Sequence, residues 1–203
     1  RSGLKHPPKL TPRLLAQILR RPQWAWAMRA QSDLRMRTLD KYAPENTHLP
    51  PTEHVGYLLR TAPDWDYVHW LRDHWPDKFI IKGVLRSSDA ARLAAAGLDA
   101  LWVSNHGGRQ FDGAPAPIDA LPESRAATDL PLIIDGAIES GLDILRAMAL
   151  GANFVMIGRG FHYALAALGP RGPAHFIDIL KRDLAANMGQ IGARDLSNLP
   201  EPV

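Results

Sequence analysis

The sequence predicts an α/β fold with a parallel β-sheet, and three observations lead to this prediction. From residue 64 onward, short runs of apolar and β-branched residues alternate with segments of helical periodicity. The runs begin at residues 79, 100, 131 and 154, and this spacing is that of consecutive βα units with right-handed crossovers. The runs are apolar on both faces, as expected for strands that helices cover.

Residues 1–63 differ from the rest of the chain because they are irregular and rich in proline. We predict a short helix here, with Thr11 as its N-cap and an end before Pro22. Residues 31–53 have the composition of a long loop. The sequence therefore divides into a helix and loop segment, residues 1–63, and an α/β part, residues 64–203.

The α/β part follows a regular order of elements. Asp64 is placed to cap the first helix, and Ser87 or Ser88 to cap the second, which Gly97 ends. The predicted strands span residues 79–84, 100–106, 131–137 and 154–159. The predicted helices span residues 65–75, 88–97, 117–128, 140–151, 161–168 and 173–188.

The composition restricts the class of protein. The 203 residues are 46% hydrophobic and 22% charged, which is typical of a chain that forms a core, either one domain or a large piece of a longer one. The absence of cysteine excludes disulfides and thiolate chemistry and fits a reducing compartment. No apolar run has the length of a transmembrane helix. The first residues lack the apolar core of a signal peptide, and we expect the chain to begin inside a longer polypeptide.

The formal net charge of +3 is unevenly distributed, because residues 1–41 are strongly basic and the remainder is acidic. A basic segment that carries Trp24 and Trp26 can lie on an anionic membrane surface. It can equally form a solvated helix pair that covers the rest of the fold. No nucleic-acid-binding motif accompanies the charge, so we expect no nucleic-acid partner.

Each predicted strand becomes polar at its C-terminal end, and each of these ends includes glycine. In a (β/α) barrel the C-terminal ends of the strands line the active site, so these residues would converge on one pocket. The four strand ends are Lys82-Gly83, Ser104-Asn105-His106 (followed by two glycines), Asp135-Gly136-Ala137 and Gly158-Arg159-Gly160.

The residue types at these ends indicate their chemistry. Imidazole acts as a general base near neutral pH, which favours His106 as a base. Arg109 offers a planar fork suited to a carboxylate. Lys82 either places a positive charge beside a developing anion or extends its ammonium to solvent from the barrel rim. The chain has no G-x-S-x-G nucleophile elbow and no histidines at metal-ligand spacing, so we predict neither a serine hydrolase nor a metal site.

The last two strand ends predict a phosphate site. Loops after the seventh and eighth strands of barrels bind phosphate through backbone N–H groups and a helix N-terminus. Residues 135–137 and 158–160 fit this position, and Arg159 adds positive charge.

Four motifs together resemble the FMN-dependent α-hydroxy acid dehydrogenase/oxidase family, which includes L-lactate dehydrogenases, glycolate oxidases and mandelate dehydrogenases. The motifs are IIKGV, VSNHGGRQFDGAPAPIDALPE, LIIDGAIESGLDILRAMALGA and VMIGRGFHYALAALG. The resemblance runs from about Pro7 to Leu199, and SNHGGRQ with its following aspartate is its most specific part. The family fold is a (β/α)8 TIM barrel that holds FMN at the strand C-termini. The strands here resemble its fifth to eighth, so the resemblance implies a C-terminal half-barrel preceded by an active-site loop region.

The resemblance also implies a role for each strand end. His106 would be the catalytic base, taking the substrate α-proton, or the hydroxyl proton if hydride passes to flavin N5. Arg109 would bind the substrate carboxylate. Lys82 would stabilise negative charge at the flavin N1/O2 edge, and Ser104 would contact the flavin ring. The cofactor's ribityl phosphate would be held by Asp135, Gly136, Ala137, Gly158 and Arg159.

Two departures from the family pattern affect these expectations. Glu139 stands where the family usually has an arginine near the phosphate, and a carboxylate there is unfavourable unless it points away. We therefore expect weakened FMN affinity. The first four strands of the barrel are not visible in this chain, so we expect a portion of a roughly twice-longer enzyme that is poorly active by itself.

The resemblance further implies a small L-2-hydroxy acid substrate such as lactate, and a quinone, a cytochrome or oxygen as electron acceptor. We expect a homo-oligomer in the cytoplasm, with peripheral contact to the inner face of the membrane. Two alternatives remain open. One is a non-redox barrel enzyme, an isomerase or aldolase, that uses the same phosphate site without flavin. The other is a truncated remnant without catalytic activity.

Overall fold

The computed structural model describes residues 11–29, 62–197 and 199. The chain divides into two compact units, residues 1–63 and 64–203. The predicted loop at residues 31–53 lies outside the described residues.

The first unit contains two short helices, α1 (Pro12–Leu19) and α2 (Pro22–Arg29). The hydroxyl of Thr11 accepts a hydrogen bond from the Leu14 amide at 3.2 Å, so the predicted N-cap of α1 is confirmed. The predicted end before Pro22 is also confirmed, because α1 ends at Leu19.

The second unit alternates helices and strands along the chain, as predicted. Its strands are β1 (Ile80–Val84), β2 (Ala100–Val103), β3 (Leu132–Asp135) and β4 (Phe154–Met156). Its helices are α3 (Trp65–His74), α4 (Ser87–Ala95), α5 (Pro117–Ala127), α6 (Gly141–Ala149), α7 (Arg159–Leu168) and α8 (Gly172–Gln190).

The four strands form one parallel sheet in the order β1-β2-β3-β4, which is their order in the chain. Consecutive parallel strands joined by helices are the arrangement of a TIM barrel, and the sheet has the extent of half of one. The predicted α/β fold class with four barrel strands is therefore confirmed.

One face of this sheet is packed against helices. Residues at alternate positions of the two central strands have no exposed surface, because a strand points successive side chains to opposite faces. These residues are Leu101, Val103, Leu132 and Ile134. The opposite face is open: Ile80 is 43%, Phe154 59% and Met156 38% exposed.

The structure corrects two details of the sequence prediction. Three strands end earlier than predicted, at Val103, Asp135 and Met156, and the residues that follow enter turns or start a helix. The backbone at these turns leaves the extended region: φ is +56° at both His106 and Ala137. The predicted cap of α4 is also wrong, since α4 already begins at Ser87 and no side chain caps it.

Candidate active site

A cleft with a volume of about 580 Å³ opens at the C-terminal ends of the strands. Side chains from all four strand ends line it, although they are far apart in sequence. The lining includes every predicted site residue except Ser104: Lys82, His106, Arg109, Asp135, Gly136, Ala137, Gly158 and Arg159. The spatial convergence that the sequence suggested is thus present.

Lys82 projects from β1 into a network of charged and polar groups. Its Nζ donates to Oδ2 of Asp135 at 2.8 Å and to Oγ of Ser104 at 2.5 Å. It also lies 4.8 Å from the centre of the Trp102 ring, within reach of a cation–π interaction. The lysine is therefore both paired and directed into the cleft, with 34% of its side chain exposed.

One carboxylate oxygen of Asp135 accepts no hydrogen bond from the described residues. Its Oδ2 binds Lys82, while its Oδ1 is buried and has no hydrogen-bond partner among the residues that the structure describes. A buried carboxylate oxygen without a donor costs free energy, so this atom is suited to a ligand hydroxyl.

Ser104 lies behind the cleft and is completely buried. Its hydroxyl accepts hydrogen bonds from Lys82 Nζ and from the backbone N–H of His106, the latter at 3.1 Å. Ser104 thus ties the lysine to the histidine backbone. The predicted contact of Ser104 with a flavin ring stays a prediction.

The backbone conformation of the turn after His106 explains why two glycines occur there. Gly107 and Gly108 have φ values of +68° and +69°, a region in which glycine is not strained. Oδ1 of Asn105 accepts from the Gly108 amide at 3.2 Å and closes the turn. His106 itself has φ +56°, which costs a residue with a Cβ about 1–2 kcal/mol. The turn directs the His106 and Arg109 side chains into the cleft.

Two helices begin at the other end of the cleft. Ser140 and Asp143 form a capping box at the start of α6, and Oδ2 of Asp183 accepts from the Gly141 amide at 2.6 Å. The start of α7 differs, since no side chain caps its first amides. A Cβ at Gly158 would meet nothing within 4 Å, so a ligand can approach these amides closely.

Glu139 contacts the arginine that the sequence assigned to the phosphate. Its Oε1 lies 4.0 Å from Nη2 of Arg159, and both side chains are mostly exposed. The carboxylate therefore does not point away from the site, and it partly neutralises Arg159.

Several residues that line the cleft were not predicted as site residues, among them Gln110, Ile138, Met156 and His162. His162 lines it one helical turn after Arg159, and the i, i+3 spacing on α7 could have revealed this. Gly83 supports the His106 ring, a contact that no sequence signal indicated. No group of three potential metal ligands occurs in the described parts of the chain.

The cleft brings a histidine, a lysine, two arginines and the uncapped amides of a helix start to the C-terminal edge of a parallel sheet, a set of groups suited to an anionic ligand. The family model for FMN-dependent dehydrogenases matches residues 1–203. The chain therefore belongs to the FMN-dependent dehydrogenase family, and FMN is the cofactor of that family.

Similar proteins agree with this assignment. The L-lactate dehydrogenase of Caulobacter sp. (strain K31) is 37% identical over 204 residues, covering 97% of this chain and 53% of the relative. The (S)-mandelate dehydrogenase of Pseudomonas putida is 43% identical over 136 residues, covering 67% of this chain and 35% of the relative.

Solved structures show the same relationship. A crystal structure described as the monotopic membrane protein (S)-mandelate dehydrogenase superposes with a TM-score of 0.84 at 33% identity, covering 96% of this chain and 52% of that one. Mandelate oxidase with (S)-4-hydroxymandelic acid gives a TM-score of 0.65 at 38% identity, covering 68% and 39%. The chain thus spans about half the length of the relatives it matches. Across the described residues, no helix is long and apolar enough to cross a bilayer.

The cleft fits FMN. The open Gly158 position and the uncapped amides of α7 suit a terminal phosphate, and Arg159 adds charge. The free Oδ1 of Asp135 suits a ribityl hydroxyl, and Lys82 suits the electron-accepting edge of a ring. Glu139 is the residue that opposes a phosphate.

Proposed function

We propose that the chain forms the C-terminal half-barrel of an enzyme that oxidises an L-2-hydroxy acid, such as lactate, to the 2-oxo acid with FMN. The observation that carries this proposal is the meeting of His106, Arg109, Lys82 and Arg159 in one cleft. The matched length and the open apolar sheet face support the half-barrel part. In a closed barrel that face would be covered.

The residues divide the work of the reaction. Arg109 binds the substrate carboxylate and presents the hydroxyl carbon to the histidine. Oxidation removes two electrons and two protons, and His106 accepts one proton. If it takes the hydroxyl proton, the α-hydrogen leaves with both electrons as a hydride; if it takes the α-proton, the hydroxyl proton is released to solvent as the two electrons leave. FMN supplies the two-electron acceptor when bound. Lys82 places its ammonium next to the negative charge that develops, and Asp135 and Ser104 fix that ammonium.

The test uses the protein from the complete open reading frame that encodes this chain. We expect it to be yellow, with absorbance near 450 nm that decreases when L-lactate or (S)-mandelate is added. His106→Asn should retain FMN and lose about 10²–10⁴-fold in the rate of flavin reduction. His175→Asn, an exposed histidine of α8 outside the cleft, is the control and should keep the rate.

Two results would count against the proposal. A colourless protein that is active on a phosphorylated substrate would favour the isomerase or aldolase alternative. Rapid, hydroxy-acid-dependent dye reduction by the purified 203 residues alone would contradict the proposal that the chain is half of a barrel, since activity would then not require the other half of the site.

We also propose that the first unit contacts the inner face of an anionic membrane peripherally. Leu19 is 80% and Trp26 74% exposed on its two helices, next to several arginines. A related (S)-mandelate dehydrogenase is described as a monotopic membrane protein. Co-sedimentation with anionic vesicles, but not with neutral ones, is expected. Equal binding to both would contradict the electrostatic part.

The assembly and the electron acceptor belong to the same proposal. We propose a homo-oligomer that passes electrons to a quinone, a cytochrome or oxygen. Light scattering on the size-fractionated protein measures the mass. Reoxidation of the reduced flavin by each acceptor in turn identifies the acceptor.

A further inference from the structure

Gly83 lies directly beneath the imidazole of His106. A Cβ built on Gly83 would be 2.9 Å from Nε2 and 3.3 Å from Cε1 of that ring. Ordinary van der Waals contact begins at about 3.4 Å. A methyl group at position 83 would therefore collide with the edge of the imidazole that carries Nε2, and the absence of a side chain on Gly83 leaves that edge its place.

The backbone around Gly83 is shaped for this contact. The register between β1 and β2 shifts between Lys82 and Val84, so Gly83 is the extra residue of a bulge. Its φ of +106° lies in a region that glycine adopts without strain. The bulge lets Lys82 keep its place in the cleft while Val84 pairs with Val103 and is buried.

His106 is held by its backbone as well as by this contact. Its N–H donates to Oγ of Ser104 at 3.1 Å, and its φ of +56° fixes where the Cβ points. Among the described residues, no hydrogen bond to the imidazole nitrogens is formed, so within this part of the barrel it is packing that limits the ring position. Gly83 provides that packing at Nε2.

We propose that Gly83 is a positioning residue: it sets where the Nε2 edge of His106 stands in the cleft, and so the distance over which the base takes its proton. The inference rests on the proposed role of His106 as the base. A side chain at position 83 would require the ring to shift, from 2.9 Å towards the 3.4 Å at which ordinary van der Waals contact begins. Misplacement of a reacting group by about 1 Å can cost about 100-fold in rate.

A matched pair of variants separates the contact from backbone strain. Gly83→Ala introduces both strain at positive φ and the clash with His106. Gly97→Ala introduces similar strain, because Gly97 has φ +80°, but its Cβ would meet nothing within 4 Å. Gly97 lies outside the cleft, before β2. A loss of rate in Gly83→Ala that Gly97→Ala does not show, with FMN affinity unchanged as the check on the neighbouring Lys82, is therefore assigned to the ring contact.

The expected result is a selective loss in Gly83→Ala. The maximal rate of flavin reduction should fall about 10- to 100-fold, while the FMN dissociation constant and the substrate KM stay within twofold. Gly97→Ala should keep the rate. Equal rates in the two variants, or a loss of FMN binding in Gly83→Ala that matches its loss of rate, would overturn the proposal.

A measurement on the unsubstituted protein serves if Gly83→Ala does not fold. The nuclear Overhauser spectrum should contain a cross-peak between the Cε1 proton of His106 and an α-proton of Gly83. Its absence would overturn the proposal. Failure of the proposed function would appear elsewhere, as an unchanged rate in His106→Asn, while this cross-peak would remain.

Discussion

The Nζ of Lys82 and the Oδ2 of Asp135 lie 2.8 Å apart and join the first and third strands of the sheet across the mouth of the cleft. Strand β2 lies between them, and Ser104, the residue that follows β2, accepts the second hydrogen bond of the lysine. One ammonium thus connects three strand ends. The pair both stabilises the sheet edge and sets the charge of the site.

Lys82→Met should therefore destabilise the fold. It leaves the carboxylate of Asp135, 21% exposed, without its cation, and we expect a loss of about 1–2 kcal/mol in the free energy of unfolding. Urea denaturation measures it. Lys181→Met, at an exposed position of α8, is the control and should change stability by less than about 0.5 kcal/mol. Equal small effects would contradict a stabilising role of the pair.

Replacing Glu139 should strengthen FMN binding. Glu139→Arg removes a carboxylate 4.0 Å from Arg159 and adds a cation, so we expect FMN affinity to rise about three- to tenfold for this exposed, screened position. Titration by flavin fluorescence checks this. Riboflavin, which lacks the phosphate, should gain nothing. Glu123→Arg on the exposed side of α5 is the control. An unchanged FMN affinity in Glu139→Arg would contradict the prediction that Glu139 weakens phosphate binding.

The start of α6 should tolerate no side chain at Gly141. A Cβ there would lie 2.6 Å from the backbone carbon of Asp183 on α8, the residue whose carboxylate caps α6. We expect Gly141→Ala to cost about 1–3 kcal/mol of stability. Gly189→Ala is the control. Gly189 lies on α8 with open space where its Cβ would be, so this variant should be neutral or should stabilise the fold by up to about 1 kcal/mol. Thermal unfolding of both variants measures the contrast.

Asp99 makes the free energy of unfolding depend on pH in the acidic range. Its hydrogen bond from Lys78, helped by the Phe79 amide and Arg72, lowers the pKa of its carboxyl from 3.8 to about 2. A lowered pKa in the folded state contributes stability that is complete above the unfolded-state pKa and disappears as pH falls towards 2. Asp99→Asn should therefore be less stable than the unsubstituted chain from neutral pH down to about pH 4. The two stabilities should converge near pH 2, as measured by urea denaturation at each pH. A gap independent of pH would contradict this.

Sequence reasoning reached the element order and most of the cleft because both depend on local patterns. The spacing of apolar runs in a parallel βα chain leaves few topologies, and the C-terminal ends of parallel strands meet at one edge. The sequence identified four site residues because polar and charged groups at the ends of buried strands are costly unless they are paired or face a ligand. These residues are Lys82, His106, Arg109 and Arg159. Strand limits were less well predicted, because serine and glycine occur both at strand ends and in turns, so Ser104 and Gly136 do not fix by type the residue at which the strand ends.

The sequence by itself determined the parallel α/β architecture, the family and the set of chemical groups at the strand ends. Only the tertiary structure decided how those groups pair: Lys82 with Asp135, Glu139 with Arg159, and the His106 ring with Gly83. The physical reason is that each pairing joins residues from different βα units. The distances between such residues depend on how the strands and turns pack in three dimensions. The local pattern of residue types along the chain does not determine that packing to within a few ångströms.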